Sequence, residues 1–458
     1  MKGEIRMLKA VIFDMDGVLV DSEPLNLRAL MIAMKEFGVA LTTEYCTKFI
    51  GKSNTETMTT IIDDYNLNET TENLIKANLS TKRRLIQEEG YEAIPYVKEL
   101  IQDLYKEGIK LAIASSSPEA DIISVTRMLG IQKYFSKLIS GDHVKYSKPA
   151  PDIFLLALKE LGVNADQALV IEDSMNGTIA AYEANIKSIG FINPNSGNQD
   201  LNRASVLIES FQDIDYQFLE NELLRSHNLP VTIATTKRLK IRELTVDDIK
   251  AMYTIYQDPK VREYIDNIEE YLDVEIEKHK AYIKNIYSFF GYGLWGVFNL
   301  HTDQLIGRCG IQNRMIDGKV EIELGYLLDV NHWGMGYALE CTKAVLDYAF
   351  EYLGIRRIVA SIDRFNHRSI KVATKLGMMY EKDVNDNNRS CSLYVITYDQ
   401  YMDIITVDHQ DTNQNATHMN DDDSKRRSDA VIQAKQVLDK TKYTDVYSKR
   451  YSYKKDNK

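Results

Sequence analysis

Ala10-Val11-Ile12-Phe13-Asp14-Met15-Asp16-Gly17-Val18 is the stretch on which the fold of the first half turns. An apolar run leads straight into two aspartates spaced two apart, and a glycine follows the second. Residues 8–13 are expected to form a fully buried parallel strand. Such a strand delivers Asp14 and Asp16 together at its carboxyl end, where open α/β sheets place their ligands. Two carboxylates beside a tight turn can share one Mg²⁺, and the first can also attack phosphorus. A lone Asp-x-Asp after a strand is equally at home in a solvated loop, so the downstream partners decide.

Three partners follow. Residues 110–114 (KLAIA) read as a second short strand ending in Ser115-Ser116-Ser117, where a hydroxyl can bond a phosphate oxygen or cap the next helix. Lys148 stands in Ser147-Lys148-Pro149-Ala150-Pro151, a rigid mount for one cation. Residues 168–171 read as another buried strand, delivering Glu172-Asp173-Ser174 at its end. Strand ends carrying Asp/Asp, Ser and Glu/Asp, with a lysine nearby, form a highly specific combination.

Through VIFDMDGVLVDSEP, AIASSS, SKPAPDIF and VIEDSMNG, residues from about 7 to 220 resemble the haloacid dehalogenase superfamily of hydrolases, in its β-phosphoglucomutase-like subfamily. The resemblance implies a Rossmann-like α/β core and an aspartyl-phosphate mechanism. Asp14 would be the nucleophile and Asp16 the general acid and base. Ser115 and Lys148 would bind the transferring phosphoryl group, and Asp14, Asp16, Glu172 and Asp173 would hold Mg²⁺. The chemistry agrees: a carboxylate attacking a phosphate dianion is resisted by charge repulsion, which a cation and a lysine relieve. Residues 21–92, with Leu25, Leu30, Met31 and Met34 near helical spacing, are expected to form a helical cap. Asn26 stands where many relatives carry His, and Asn54 where mutase caps carry Arg; both favour a phosphatase over a mutase. Lys82-Arg83-Arg84 reads as a solvated helix face.

A chain of 458 residues is long enough for two cores. Residues 226–236, which include Asn228-Leu229-Pro230, are expected to be a linker, and residues 236–244 to be one alternating strand. Further on, residues 321–328 alternate like a strand, and Asn331-His332-Trp333-Gly334-Met335-Gly336-Tyr337 opens a long helix to about Tyr352. Glycines let the backbone approach a ligand closely, and the free N–H groups of a helix start attract an anion such as pyrophosphate. Asn366-His367-Arg368-Ser369 stands ahead of Lys375-Leu376-Gly377-Met378.

Through TKRLKIREL, EIELGYLLDVNHWGMGYALE and NHRSIKVATKLGM, residues 237–402 resemble the GNAT superfamily of N-acetyltransferases, nearest the ribosomal-protein N-terminal type. The resemblance implies an α/β domain with a mixed sheet and a splayed pair of parallel strands, 321–328 and 358–363. Acetyl-CoA would contact Leu328, Val330, Gly334, Met335, Gly336, Tyr337 and Asn366, and Ser369 would protonate the leaving thiolate. The tyrosine that often serves as this acid falls at Ala373. Glu321 and Glu323 are candidates for the base, and His332 and His367 receive no role.

Four cysteines without Cys-x-x-Cys spacing suit a reducing cytoplasm, and no segment has the layout of a signal peptide or a membrane span. A formal charge of −11 without a basic stripe argues against nucleic acid and tolerates cationic acceptors. The expected partners are a small phosphorylated metabolite and an amine, either a small molecule or a protein N-terminus, with no membrane. Residues 403–458 are too polar to offset their ordering entropy and are expected to be disordered. Two alternatives stay open: a sugar phosphomutase in the first half, and a non-catalytic acetyl-CoA sensor in the second.

Overall fold

The computed structural model describes residues 6–50, 52–265, 268–287, 290–386 and 389–410. They divide into two compact units at His227/Asn228. The first contains a parallel sheet of six strands: β1 (Ala10–Phe13), β2 (Lys110–Ser115), β3 (Lys137–Ser140), β4 (Ala168–Glu172), β5 (Lys187–Phe191) and β6 (Val206–Ile208). Their order is β3-β2-β1-β4-β5-β6. β1, buried along its whole length, pairs with β2 on one side and β4 on the other, Phe13 facing Ile113 and Ile171. The direction of winding reverses at β1, so the carboxyl ends of β1, β2 and β4 open at the switch point of the sheet.

Both faces of this sheet are covered, as an all-parallel sheet demands. Val11, Phe13, Leu111, Ile113, Leu169 and Ile171 pack on one face. Ala10, Ile12, Ala112, Ala114 and Val170 pack on the other, against Phe154, Leu158 and Ala181. Between β1 and β2 the chain makes α1 (Glu23–Lys35), α2 (Thr43–Thr47), α3 (Asn54–Tyr65) and α4 (Thr71–Glu89). Thr42, Ser53 and Thr70 each cap the helix they precede with a side-chain oxygen. Leu30, Met34, Phe49, Met58, Ile61 and Leu74 give these helices a core of their own, as a cap requires.

The second unit is a sheet of eight strands in the order β13-β14-β12-β11-β10-β9-β8-β7. The strands are β7 (Thr232–Thr235), β8 (Leu239–Arg242), β9 (Leu294–Asn299), β10 (Leu305–Ile316), β11 (Lys319–Leu328), β12 (Arg357–Asp363), β13 (Met379–Asp386) and β14 (Arg389–Thr397). All neighbours are antiparallel except β11 and β12, which are parallel and register at the single pair Glu323↔Val359.

Two expectations change here. The stretch 236–244 is not one strand: Thr236 N–H bonds Leu239 O at 2.8 Å, closing a turn between β7 and β8. β7 therefore occupies part of the segment expected to be linker. The chain past Met402 also continues in the helix Tyr398–Gln410, where Tyr401 is buried and its hydroxyl donates to Asp347 Oδ1 at 2.5 Å. The rest of the expected tail, 411–458, lies outside the described residues. No helix among them is long and apolar enough to cross a membrane.

Candidate functional sites

The carboxyl ends of β1 and β4 bring Asp14, Glu172 and Asp173 together, each offering an oxygen within 4.8 Å of the others, all three buried. Lys148 closes the group. Its ammonium donates to Asp14 Oδ1 at 2.5 Å, to Glu172 Oε1 at 2.6 Å and to the Ala114 carbonyl at 3.0 Å. All three of its N–H donors are thereby spent, and its side chain is 6% exposed.

Glu172 is held at its other oxygen by Ser174, from N–H at 3.0 Å and Oγ at 2.9 Å. Asp173 accepts from Ser196 Oγ. Gly17, at φ +83°, leaves the room Asp173 needs, since a Cβ there would lie 1.9 Å from Asp173 Oδ2.

The electrostatics show a deficit of positive charge. Burial pushes the Asp14 carboxyl well above its ordinary range; Lys148 opposes this, and the charges of Glu172 and Asp173 add to it. Burial and Glu172 likewise raise Asp173 to about 7. Burial alone would lower the Lys148 pKa, but Asp14 and Glu172 hold it above its usual value. Three carboxylates against one lysine is a donor set suited to a hard divalent cation, so the residues fit Mg²⁺.

Asp16 does not join this group. Residues two apart share a face on a strand, but β1 ends at Phe13 and the chain turns at once, with Leu19 and Val20 N–H bonding Met15 O. Asp16 instead accepts from Ser117 Oγ at 2.7 Å. Ser115 is buried at the end of β2, its Oγ accepting from Ser117 N–H at 3.1 Å. Ser117 is the partner sequence reasoning missed; it sits in the Ser115-Ser116-Ser117 run, but only the fold shows which hydroxyl meets Asp16. In the cap, Asn54 opens α3 in an exposed position, and Lys52 pairs with Glu56 at 3.4 Å. Arg83 and Arg84 are exposed as expected, while the Lys82 charge acts on half-buried Glu23.

In the second unit β11 and β12 part beyond Glu323↔Val359, which gives the splayed pair. After β11 the Trp333 ring N–H donates to Leu328 O at 2.8 Å, and Asp329 accepts from Asn331 N–H at 3.3 Å while facing His332 Nδ1 at 3.0 Å. Val330 lies in this turn, half-buried. Gly334 and Gly336 follow at φ +76° and +81°. A Cβ on Gly334 would meet nothing within 4 Å, so these glycines answer to backbone conformation and not to crowding. Gly336 is the N-cap of the helix Tyr337–Asp347, whose first turn has no side-chain cap, and Met335 beside it is exposed. The helix winding loosens over Tyr348–Tyr352, reaching the expected end.

The helix His367–Lys375 meets this loop, with the Arg368 guanidinium 4.3 Å from the centre of the Trp333 ring. Asn366 Oδ1 caps it by accepting from Ser369 N–H at 3.1 Å. Ser369 Oγ accepts from Tyr326 Oη at 3.2 Å, and burial raises the Tyr326 pKa to about 12. The pattern of β11 could have pointed to Tyr326, which shares a face with Leu324 and Leu328. Ala373 is buried. Glu321 is paired with Arg357 at 3.2 Å, whereas Glu323 is buried at the splay and accepts from Gln312 Nε2 at 3.0 Å.

The family model described as haloacid dehalogenase-like hydrolase matches residues 11–191, and that described as acetyltransferase (GNAT) domain matches 238–379. A phosphorylated carbohydrates phosphatase of Thermotoga maritima is 35% identical over 182 residues, spanning 40% of this chain and 84% of its own length. Hexitol phosphatase B of Escherichia coli is 30% identical over 202 residues, spanning 42% and 87%. The uncharacterized N-acetyltransferase p20 of Bacillus licheniformis is 32% identical over 167 residues, spanning 36% and 91%. The chain belongs to the haloacid dehalogenase-like hydrolases through its first unit and to the GNAT acetyltransferases through its second.

Proposed function

We propose that the first unit is a Mg²⁺-dependent phosphatase acting on the monophosphate of a sugar or sugar alcohol. The observation that carries this reading is Lys148 bridging Asp14 and Glu172 inside a buried, over-charged carboxylate group. Asp14 attacks phosphorus, the bond to the leaving oxygen breaks, and Asp16 gives that oxygen its proton. Asp16 then takes a proton from the water that attacks the aspartyl phosphate, releasing phosphate and restoring Asp14. Ser117, donating to Asp16, orients that carboxyl. Ser115 would hold a phosphoryl oxygen, and Lys148, giving up its bond to Asp14 Oδ1 as Asp14 attacks, would turn that donor to another while damping the repulsion between Asp14 and the incoming phosphate. Asp14, Glu172 and Asp173 would hold the Mg²⁺, which supplies charge neutralisation at the phosphoryl group. Two relatives named for phosphorylated carbohydrates and hexitols support this substrate class, and Asn54 in place of an arginine favours a phosphatase over a mutase.

The second unit, in this reading, transfers acetyl from acetyl-CoA to an amine. The uncapped first turn after Gly336 would receive the pyrophosphate of acetyl-CoA, Leu328 and Val330 would contact its pantetheine arm, and Ser369 would give a proton to the thiolate that leaves as the amine takes the acetyl group. A phosphate-release screen over sugar and hexitol monophosphates, with Mg²⁺ and with EDTA, tests the first half. Free-CoA release from acetyl-CoA over an amine panel tests the second. Release of phosphate from no member of the screen refutes the substrate class. Acetyl-CoA binding without turnover on any amine refutes the transferase and leaves a sensor.

A further inference from the structure

The turn between β7 and β8 carries a side chain with no role so far. Arg238 reaches from it to the glycine turn that opens the helix Tyr337–Asp347. Its Nη1 donates to the Met335 carbonyl at 2.9 Å, and its Nε donates to Glu340 Oε2 at 2.6 Å. Its Nη2 lies 2.6 Å from that same Glu340 oxygen, and the guanidinium carbon is 4.3 Å from the centre of the Tyr337 ring. Glu340 is secured at its second oxygen, which accepts from Thr236 Oγ1 at 2.6 Å and from Arg238 N–H at 3.0 Å.

An exposed ion pair by itself would add little. This one differs in what else it touches. The Glu340 side chain is 18% exposed, and the planar guanidinium binds a carboxylate and a backbone carbonyl at once. In a trans peptide the carbonyl and the following N–H point opposite ways. Holding the Met335 carbonyl toward Arg238 therefore turns the Gly336 N–H away from it, to the opposite face of the loop. With both glycines at positive φ the loop has conformations to lose, and Arg238 is the side chain seen to select one.

We propose that Arg238, anchored by Glu340, is the positioning residue of the acetyl-CoA loop, fixing the Met335–Gly336 peptide so that its amide faces the pyrophosphate. This rests on reading Gly334–Tyr337 as that loop. The side chain acts through the backbone and is not itself the phosphate ligand.

Isothermal titration of the full chain with acetyl-CoA tests the idea, with thermal melting as the check on folding. Arg238→Gln is expected to weaken binding about tenfold, and Glu340→Gln, which keeps its shape but releases the guanidinium, to weaken it similarly. Arg238→Lys reaches only one of the two partners and recovers part of the loss. In a Gly336→Val background, where the loop is already misplaced, Arg238→Gln should cost nothing further. If Arg238→Gln binds like wild type while Gly336→Val does not, the latch is refuted and the loop reading stands. If neither weakens binding, the loop reading fails and takes the latch with it. If Arg238→Gln weakens binding while Glu340→Gln leaves it unchanged or tighter, Arg238 is a direct anion ligand and the proposal is overturned. Should Arg238→Gln melt early, the better-matched Glu340→Gln decides.

Discussion

Gly177→Ala is a substitution that helix propensity alone would welcome. Gly177 lies in the first turn of the helix Met175–Glu183, where alanine is ordinarily worth about 1 kcal/mol more than glycine. Here its Cβ would fall 1.8 Å from Glu172 Oε1 and 1.9 Å from the carboxyl carbon. To reach ordinary contact at 3.4 Å the carboxylate must retreat by about 1.6 Å. That retreat breaks the 2.6 Å bond from Lys148 and the 3.0 and 2.9 Å bonds from Ser174. Disrupting a buried ion pair costs about 3–5 kcal/mol. Setting the helix gain against this leaves a loss of about 2–4 kcal/mol, or about 5–15 °C in the melting of the first unit. Phosphate release should fall about 100-fold, because Lys148 loses one of the two carboxylates that aim it. Melting curves and phosphate release under saturating Mg²⁺ measure both. Glu172→Ala removes the obstructing atoms, so Glu172→Ala/Gly177→Ala should melt no lower than Glu172→Ala alone. A Gly177→Ala protein with wild-type melting and turnover would falsify the account of Glu172 as a carboxylate pinned in place.

Asp14→Asn is expected to abolish phosphate release while leaving acetyl-CoA binding unchanged, since an amide cannot be the nucleophile; turnover within tenfold of wild type would remove Asp14 from that role. Asp173 gives a pH dependence: folded, without a divalent cation, it keeps its proton up to about 7, against 3.8 for the ordinary group. Its contribution to stability is full below the unfolded value and is lost as pH rises from there through about 7. Mg²⁺ must displace that proton, so the rise in melting temperature on replacing EDTA with Mg²⁺ should be larger at pH 7.5 than at pH 5.5. An equal rise at both would take Asp173 out of the cation site.

Much of the first site was legible because its chemistry resides in side chains that follow recognisable strands. The apolar runs before Asp14 and Glu172 predicted buried strands, and β1 and β4 deliver those residues as expected. The orientation of Asp16 was not legible, because it depends on a turn beginning one residue after the strand. The hydrogen bonds of Ser117 to Asp16, of Tyr326 to Ser369 and of Arg238 to Met335 join residues far apart in sequence, and no local period reports such pairs. At 236–244 the alternation of Leu239 and Ile241 reports β8, but Thr236 precedes that strand, its hydroxyl donating to Leu239 O at 3.3 Å in the turn before it. Past Met402 the difference runs the other way, with helix where the polarity of the segment predicts none. Overall polarity outweighed Tyr398, Tyr401, Ile404 and Ile405, whose spacing suits one buried face.

In the proposed reading the two units meet the same problem, an anionic phosphate group, with different material, and that difference explains why one site is easier to read. The first concentrates charge: a lysine with every donor occupied, among carboxylates whose raised pKa values call for a further cation. Each of those residues is visible in the sequence as a charged letter at a strand end. The second offers the open backbone of a helix start, where the letters are glycines and the working atoms are amides common to every residue. A backbone site needs something to hold its peptides in one orientation, and that residue can come from anywhere in the chain. Arg238 stands 97 residues before Met335, in the turn leading into β8, where the sequence shows it only as one basic residue among several. Backbone sites of this kind become complete only when the side chain that fixes the peptide plane is found, which is why Arg238 is the residue to mutate first in the second unit.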